Sequence, residues 1–92
     1  MNTAEFDKIA SKLIAEISDK CDEYELDSDC NNGVLYIETD SGTYVINKHA
    51  PTMQIWLSSP VSGAKHFVLS DSAWICTKTN VKLLEIIEKE LF

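Results

Sequence analysis

The chain has 92 residues, 45% of them hydrophobic and 25% charged, with a net charge of −7. That length holds one core and one domain, here spanning 1–92, and that composition belongs to a globular fold rather than a disordered chain. The acidic balance, the absence of arginine and the lack of any apolar run of membrane-spanning length argue against nucleic acid and membranes as partners.

The N-terminal segment reads as a helix. Phe6, Ile9, Ala10, Leu13, Ile14 and Ile17 fall at helical spacing and form one apolar stripe. Asn2 is placed as N-cap, with Glu5 three residues on as in a capping box. From Tyr24 the period changes to two, with Leu26, Ser28 and Cys30 on one side and Glu25, Asp27 and Asp29 on the other. Asn31-Asn32-Gly33 then predicts a turn, and Val34 to Thr39 a strand. Further strands are predicted at Thr43 to Lys48, Met53 to Ser58, Lys65 to Leu69 and Ala73 to Thr77, with turn residues between them. Thr79 or Asn80 is expected to cap a closing helix whose apolar side is Leu83, Ile86, Ile87 and Leu91.

Helix, about six short strands, helix is an α+β pattern, and tight turns between successive strands imply an antiparallel meander. The resulting fold is a two-layer sandwich with both helices on one face of the sheet. The other face must meet water or a partner. On strand alternation, Ile55 and Leu57 face the core while Gln54, Trp56 and Ser58 face outward. A tryptophan flanked by amides and hydroxyls on an uncovered face has the composition of a binding hot spot. Trp74, by contrast, is read as core with Phe67 and Leu69.

The charge is unevenly placed. Residues 1–29 hold nine acids against three lysines, whereas residues 30–80 hold three of each. Such an acidic third favours cations or a basic protein partner. Between Asp19 and Asp29 stand six carboxylates and one lysine, Lys20. Asp19, Asp22 and Glu23 sit three and four apart at the expected helix end, on neighbouring surface. Exposed carboxylates suit hard cations with little selectivity, and without an imidazole or thiolate among them affinity is weak. The same acids also read as a solvated face. Cys21, Cys30 and Cys76 are odd in number and widely spaced, which reads as reduced thiols rather than disulfides or a zinc site. His49 and His66 lack carboxylates at metal-ligand spacing and read as surface residues, and no catalytic triad or phosphate loop is present. Glu5, Asp7, Glu16 and Asp19 in the first twenty residues fit neither a secretion signal nor a transit peptide. The expected location is a bacterial-type cytoplasm, or an organelle matrix if a leader has been removed.

The stretch GTYVINKHAPTMQIWLSSPVSG, residues 42–63, resembles the signature of the frataxin family, called CyaY in bacteria. The resemblance extends to the acidic first segment, Gly33-Val34-Leu35, Trp74-Ile75-Cys76 and the Leu-rich end. It implies the helix–sheet–helix sandwich and a non-enzymatic role in iron–sulfur cluster assembly, on the complex of cysteine desulfurase and scaffold protein. It further implies weakly bound, exchangeable iron, Fe²⁺ or Fe³⁺, on a ridge matching Asp19, Asp22 and Glu23, with Asp27, Asp29 and Glu16 beside them. The family's partner surface matches Asn47, Gln54 and Trp56, with Ser58 adjacent and His66 on the neighbouring strand. The alternatives are a ferroxidase acting on the ridge, or an iron store. A monomer is the default, with oligomers forming under iron load.

Overall fold

The computed structural model describes residues 1–92. Helix α1 runs Thr3–Glu23, capped as expected by Asn2, whose Oδ1 accepts the backbone N–H of Glu5 at 2.8 Å. Phe6, Ala10, Leu13, Ile14 and Ile17 are buried, and Cys21 extends the stripe by one more turn. Ile9 departs from the expectation. It lies at the border of the stripe and is 38% exposed, beside a cleft it lines with Leu69, Trp74 and Leu84.

The helix also ends differently. Tyr24 is its C-cap rather than the start of a strand. Leu26 N–H donates to the Cys21 carbonyl at 2.8 Å and Glu25 N–H to the Asp22 carbonyl at 3.2 Å, the two bonds of a Schellman cap. That cap puts Glu25 in the left-handed region, φ 58°, where glycine is the usual occupant. Glu25 is therefore a turn residue and does not line up with Asp27 and Asp29.

The strands are β1 (Asp27–Asn31), β2 (Val34–Thr39), β3 (Gly42–His49), β4 (Gln54–Ser59), β5 (Gly63–Ser70) and β6 (Ala73–Cys76), antiparallel and in sequence order. Asn32 and Gly33, φ 54° and 78°, close the first hairpin between the paired residues Asn31 and Val34. A two-residue loop with both φ positive is the turn that matches strand twist. Met53 was expected to open β4 but has φ 52° and caps the short 3₁₀ turn Ala50–Thr52, so the strand starts at Gln54.

One face of the sheet is the core. Leu35, Ile37, Tyr44, Ile46, Ile55, Leu57, Phe67, Trp74 and Cys76 are all buried there. Trp74 meets the ring of Phe6 edge-on, with centroids 6.0 Å apart. Helix α2, Leu83–Leu91, covers the rest with Leu83, Ile86 and Ile87, and Leu91 lies half-buried. It starts later than expected, because Asn80 is left-handed at φ 60° and Lys82 is drawn into a bridge with Ile75. Neither Thr79 nor Asn80 is the cap, since Lys82 holds that position without a side-chain bond.

Glu90 fastens α2 to the sheet. Its Oε1 accepts from the Tyr44 hydroxyl at 3.0 Å and from Ser59 Oγ at 2.6 Å, and its Oε2 accepts from Ser62 Oγ at 2.7 Å. Burial pushes the carboxyl up, but the hydroxyls of Ser59, Ser62 and Tyr44 outweigh it and hold Glu90 below the usual carboxylate range. Burial and the same contact raise Tyr44 above its ordinary value.

Candidate functional site

The second face of the sheet carries no helix. Since Ile46, Ile55, Leu57 and Phe67 point into the core, their neighbours Asn47, Gln54, Trp56, Ser58 and His66 point away from it. Register brings them together. Asn47 is opposite Trp56, Trp56 is opposite His66, and Gln54 is opposite His49. Ser58 is exposed two pairs further along, between Val45 and Ala64.

Trp56 is on the expected side but only partly open to water. Its indole lies between two imidazoles, His49 at 3.9 Å with a 15° interplanar angle and His66 at 4.4 Å with 12°. Its ring N–H donates to Gln54 Oε1 at 2.8 Å. The His49 ring is pinned in turn, its Nδ1 lying 2.8 Å from Thr52 Oγ1. Well-packed aromatic pairs contribute about 0.5–1.5 kcal/mol beyond area burial. The tryptophan is thus held in one orientation by side chains of the surface itself.

His49, a surface residue by its spacing, belongs to this face as well, stacked on Trp56. His49 has the same strand parity as Asn47, so any face that includes Asn47 and Trp56 includes His49.

The acids form a different kind of surface. Glu16, Asp19, Asp22 and Glu23 are exposed on the last turns of α1. Asp27 and Asp29 are exposed on edge strand β1, where Asp27 is opposite Glu38 and Asp29 opposite Tyr36. Lys20, the lone lysine of the run, pairs instead with Glu88 of α2. Its ammonium lies 4.9 Å from the Phe92 ring centroid, and the Glu88 bond raises its pKa. Carboxylate oxygens suit hard cations and also accept borderline divalent ones such as ferrous iron. No three acidic, imidazole or thiol groups converge on a point where one ion could be held. Any cation on this ridge would take one or two carboxylates and complete its shell with water. The three cysteines are free, Cys21 and Cys76 buried and Cys30 exposed. No helix is long and apolar enough to cross a membrane.

Comparison with known proteins agrees with the fold and the motif. The family profile of the frataxin-like domain matches residues 1–92. The chain is 40% identical over 97 residues to mitochondrial frataxin of Arabidopsis thaliana, covering 95% of this chain and 52% of that protein. It thus spans about half the length of the plant relative. It is 34% identical over 93 residues to the iron–sulfur cluster assembly protein CyaY of Vibrio cholerae, covering 98% of this chain and 88% of that one. Among solved structures, trimeric frataxin from the yeast Saccharomyces cerevisiae in a ferrous complex superposes with a TM-score of 0.84 at 33% identity. That match covers 89% of this chain and 80% of the yeast one. With the profile matched from end to end, the two-layer sandwich reproduced and the Trp56 motif on its open face, the chain belongs to the frataxin-like family.

Proposed function

We propose that the protein is an iron-binding modulator of iron–sulfur cluster assembly. It docks through Asn47, Gln54, Trp56, Ser58 and His66 on the cysteine desulfurase–scaffold complex and tunes sulfur transfer. The carrying observation is the clamped Trp56, an aromatic fixed in place on a face that no element of the chain covers. A rigid anchor loses little conformational freedom on association, which is what a hot spot requires. A relative named as an iron–sulfur cluster assembly protein supports the pathway, and a relative in a ferrous complex supports the metal. The acidic ridge supplies the second half of the reading. Ferrous iron is cargo there, held by Asp19, Asp22, Glu23, Asp27, Asp29 and Glu16 through few ligands each and exchanged readily.

The test is a pull-down with desulfurase and scaffold protein, scored with sulfide-release kinetics. Wild type should be retained and should change the rate, while Trp56→Ala should do neither. Equal retention of both proteins would refute docking through this face.

The trimeric ferrous relative favours one other reading, an iron store or ferroxidase that assembles under load. Size-exclusion chromatography with and without Fe²⁺, alongside oxygen consumption per iron added, separates it from the first. Iron-dependent trimers or stoichiometric oxygen uptake, lost in an acid-depleted variant, would decide for storage.

A further inference from the structure

Trp56 offers a partner only part of its ring. Strand β4 lies between β3 and β5, and each neighbour supplies an imidazole from its own side, His49 from β3 and His66 from β5. Because they come from opposite flanks, the two rings cover opposite faces of the indole, at 3.9 Å and 4.4 Å and within 15° of parallel. The ring N–H is taken by Gln54 Oε1. What is left to touch is the carbon edge of the indole, standing in the middle of a three-ring ridge that runs across β3, β4 and β5.

The surroundings of that edge are neutral. Beside β4 the outer face carries Val45, Asn47 and His49 on β3 and Ala64, His66 and Val68 on β5. None of them is a lysine or a carboxylate. Lys48 and Lys65, the lysines of those strands, are paired with core-facing Ile55 and Leu57 and so belong to the helix side of the sheet. The strand acids of the outer face, Asp27, Asp29 and Glu38, stand on β1 and β2, two strands or more from Trp56.

We propose that the protein partner receives Trp56 edge-first, in a narrow, uncharged apolar slot, and lays no cationic side chain on the indole. The inference rests on the docking role above and specifies the chemistry of the surface that meets it. An aromatic ring is electronegative over its faces and electropositive around its edge. A lysine or arginine is attracted to an indole only when it lies over a face, and both faces of Trp56 are closed by imidazoles. A cation brought to the edge meets the positive rim instead. An edge of C–H groups between valines gains from close, dry packing, the setting in which an anchor residue contributes most. His49 and His66 thus decide which chemistry the tryptophan can recognise, by deciding which part of it is free.

The test uses the whole protein and the desulfurase–scaffold complex. Wild type is prepared with tryptophan replaced, in separate batches, by each of the benzo-ring monofluoro isomers, alongside Trp56→Ala bearing the same labels. Trp74 carries each label too, buried on the other side of the sheet, and the labelled Trp56→Ala proteins isolate its effect. One fluorine withdraws electron density from the ring to a similar degree from any of these positions, so a contact on the face would weaken alike in every isomer. A tight slot distinguishes the positions by shape. The expected result is that some isomers bind severalfold more weakly than the others while all keep a cooperative melt. In unlabelled protein, the fold-loss caused by Trp56→Ala should be the same at low and high salt, because no charge pairs with the indole. Equal weakening by every isomer, or a Trp56→Ala loss that shrinks with salt, would put a cation on the indole and overturn the proposal. Isomers that all bind like wild type, with Trp56→Ala still weakened, would leave the docking face in place and remove the slot. If Trp56→Ala binds like wild type, the docking face and the slot fall together.

Discussion

The outer sheet face and the acidic ridge both project from one small domain, and they are built on opposite principles. On the sheet face Trp56 is held by fixed partners, from the two stacked imidazoles to the Gln54 amide, with His49 held in turn by the Thr52 hydroxyl. On the ridge no acid pairs with Lys20, and no three ligands converge. A fixed surface discriminates by shape, because a misplaced partner forfeits packing. A diffuse surface of one sign acts at a distance, steering encounters and holding cations loosely, and salt weakens it. The sheet face is thus suited to specificity and the ridge to attraction.

The sharpest way to break the comparison lies within strand β4, whose two sides do different work. Ile55→Asp places a charge where the wild-type side chain is fully buried, costing roughly 3 kcal/mol or more. Since small domains hold only about 5–15 kcal/mol in total, thermal unfolding followed by circular dichroism should show a largely unfolded or strongly destabilised chain. Trp56→Ala, one residue along, should keep a cooperative melt and lose about 2 kcal/mol or more of partner binding. An unfolded Trp56→Ala protein would make the tryptophan structural and erase the contrast between the two sides.

A smaller effect isolates the clamp. His49→Ala removes one stacked ring without touching Trp56, and should weaken partner binding by about 1 kcal/mol. Trp56 fluorescence anisotropy should fall in the same variant, as the indole gains freedom. His49→Phe should restore both. Weakened binding with unchanged anisotropy and no rescue would mean that His49 touches the partner and does not position the tryptophan.

The sheet face was largely legible in the sequence because period-two alternation forces it. Once Ile55 and Leu57 are core, Gln54, Trp56 and Ser58 have no other side to occupy. The elements that were not legible are those where backbone hydrogen bonds overrule side-chain pattern. Glu25 fits a strand by alternation, yet the Schellman bonds to Asp22 and Cys21 pull it into a left-handed turn. Thr79 and Asn80 look like caps, yet the Ile75–Lys82 bridge keeps the chain extended past them. The His49 stack belongs to a third kind. Its parity was visible, but the pairing of β3 with β4 that places His49 against Trp56 depends on the length of the Ala50–Thr52 turn. Whether the acids shared one site was undecidable from spacing, since helix and strand acids meet only through tertiary packing.

Acid should separate the back of the sheet from its front. Glu90 has a folded-state pKa below that of the unfolded chain, where a glutamate titrates near about 4.3. Its contribution to stability is complete above that unfolded value and is lost as pH falls through the lower folded one. Wild type should therefore lose melting temperature progressively below about pH 4. Glu90→Gln should start lower at neutral pH and depend less on acid over that window. A variant with the wild-type acid profile would show that the hydroxyl cluster of Tyr44, Ser59 and Ser62 does not depend on a carboxylate.

The smallest expected effect belongs to the ridge, and it bears most directly on iron. Asp19, Asp22 and Glu23 are exposed, neighbouring and without lysine partners, so they repel one another in the absence of cation. They also oppose the dipole at the C-terminal end of α1. Close like charges at a surface cost roughly 1 kcal/mol per pair at intermediate dielectric, and less in salt. Replacing the three by Asn, Asn and Gln should therefore raise the melting temperature of the cation-free protein by a few degrees at low salt. Divalent cations should raise it in wild type as well, since they bind the folded ridge better than the unfolded chain, and should have little effect on the triple variant. Fe²⁺ titrated without oxygen should shift amides of residues 16–29 in wild type and leave those around Trp56 in place. Shifts centred on the sheet face, or equal responses from both proteins, would reduce the ridge to a solvated surface and leave attraction as well as specificity to the Trp56 side.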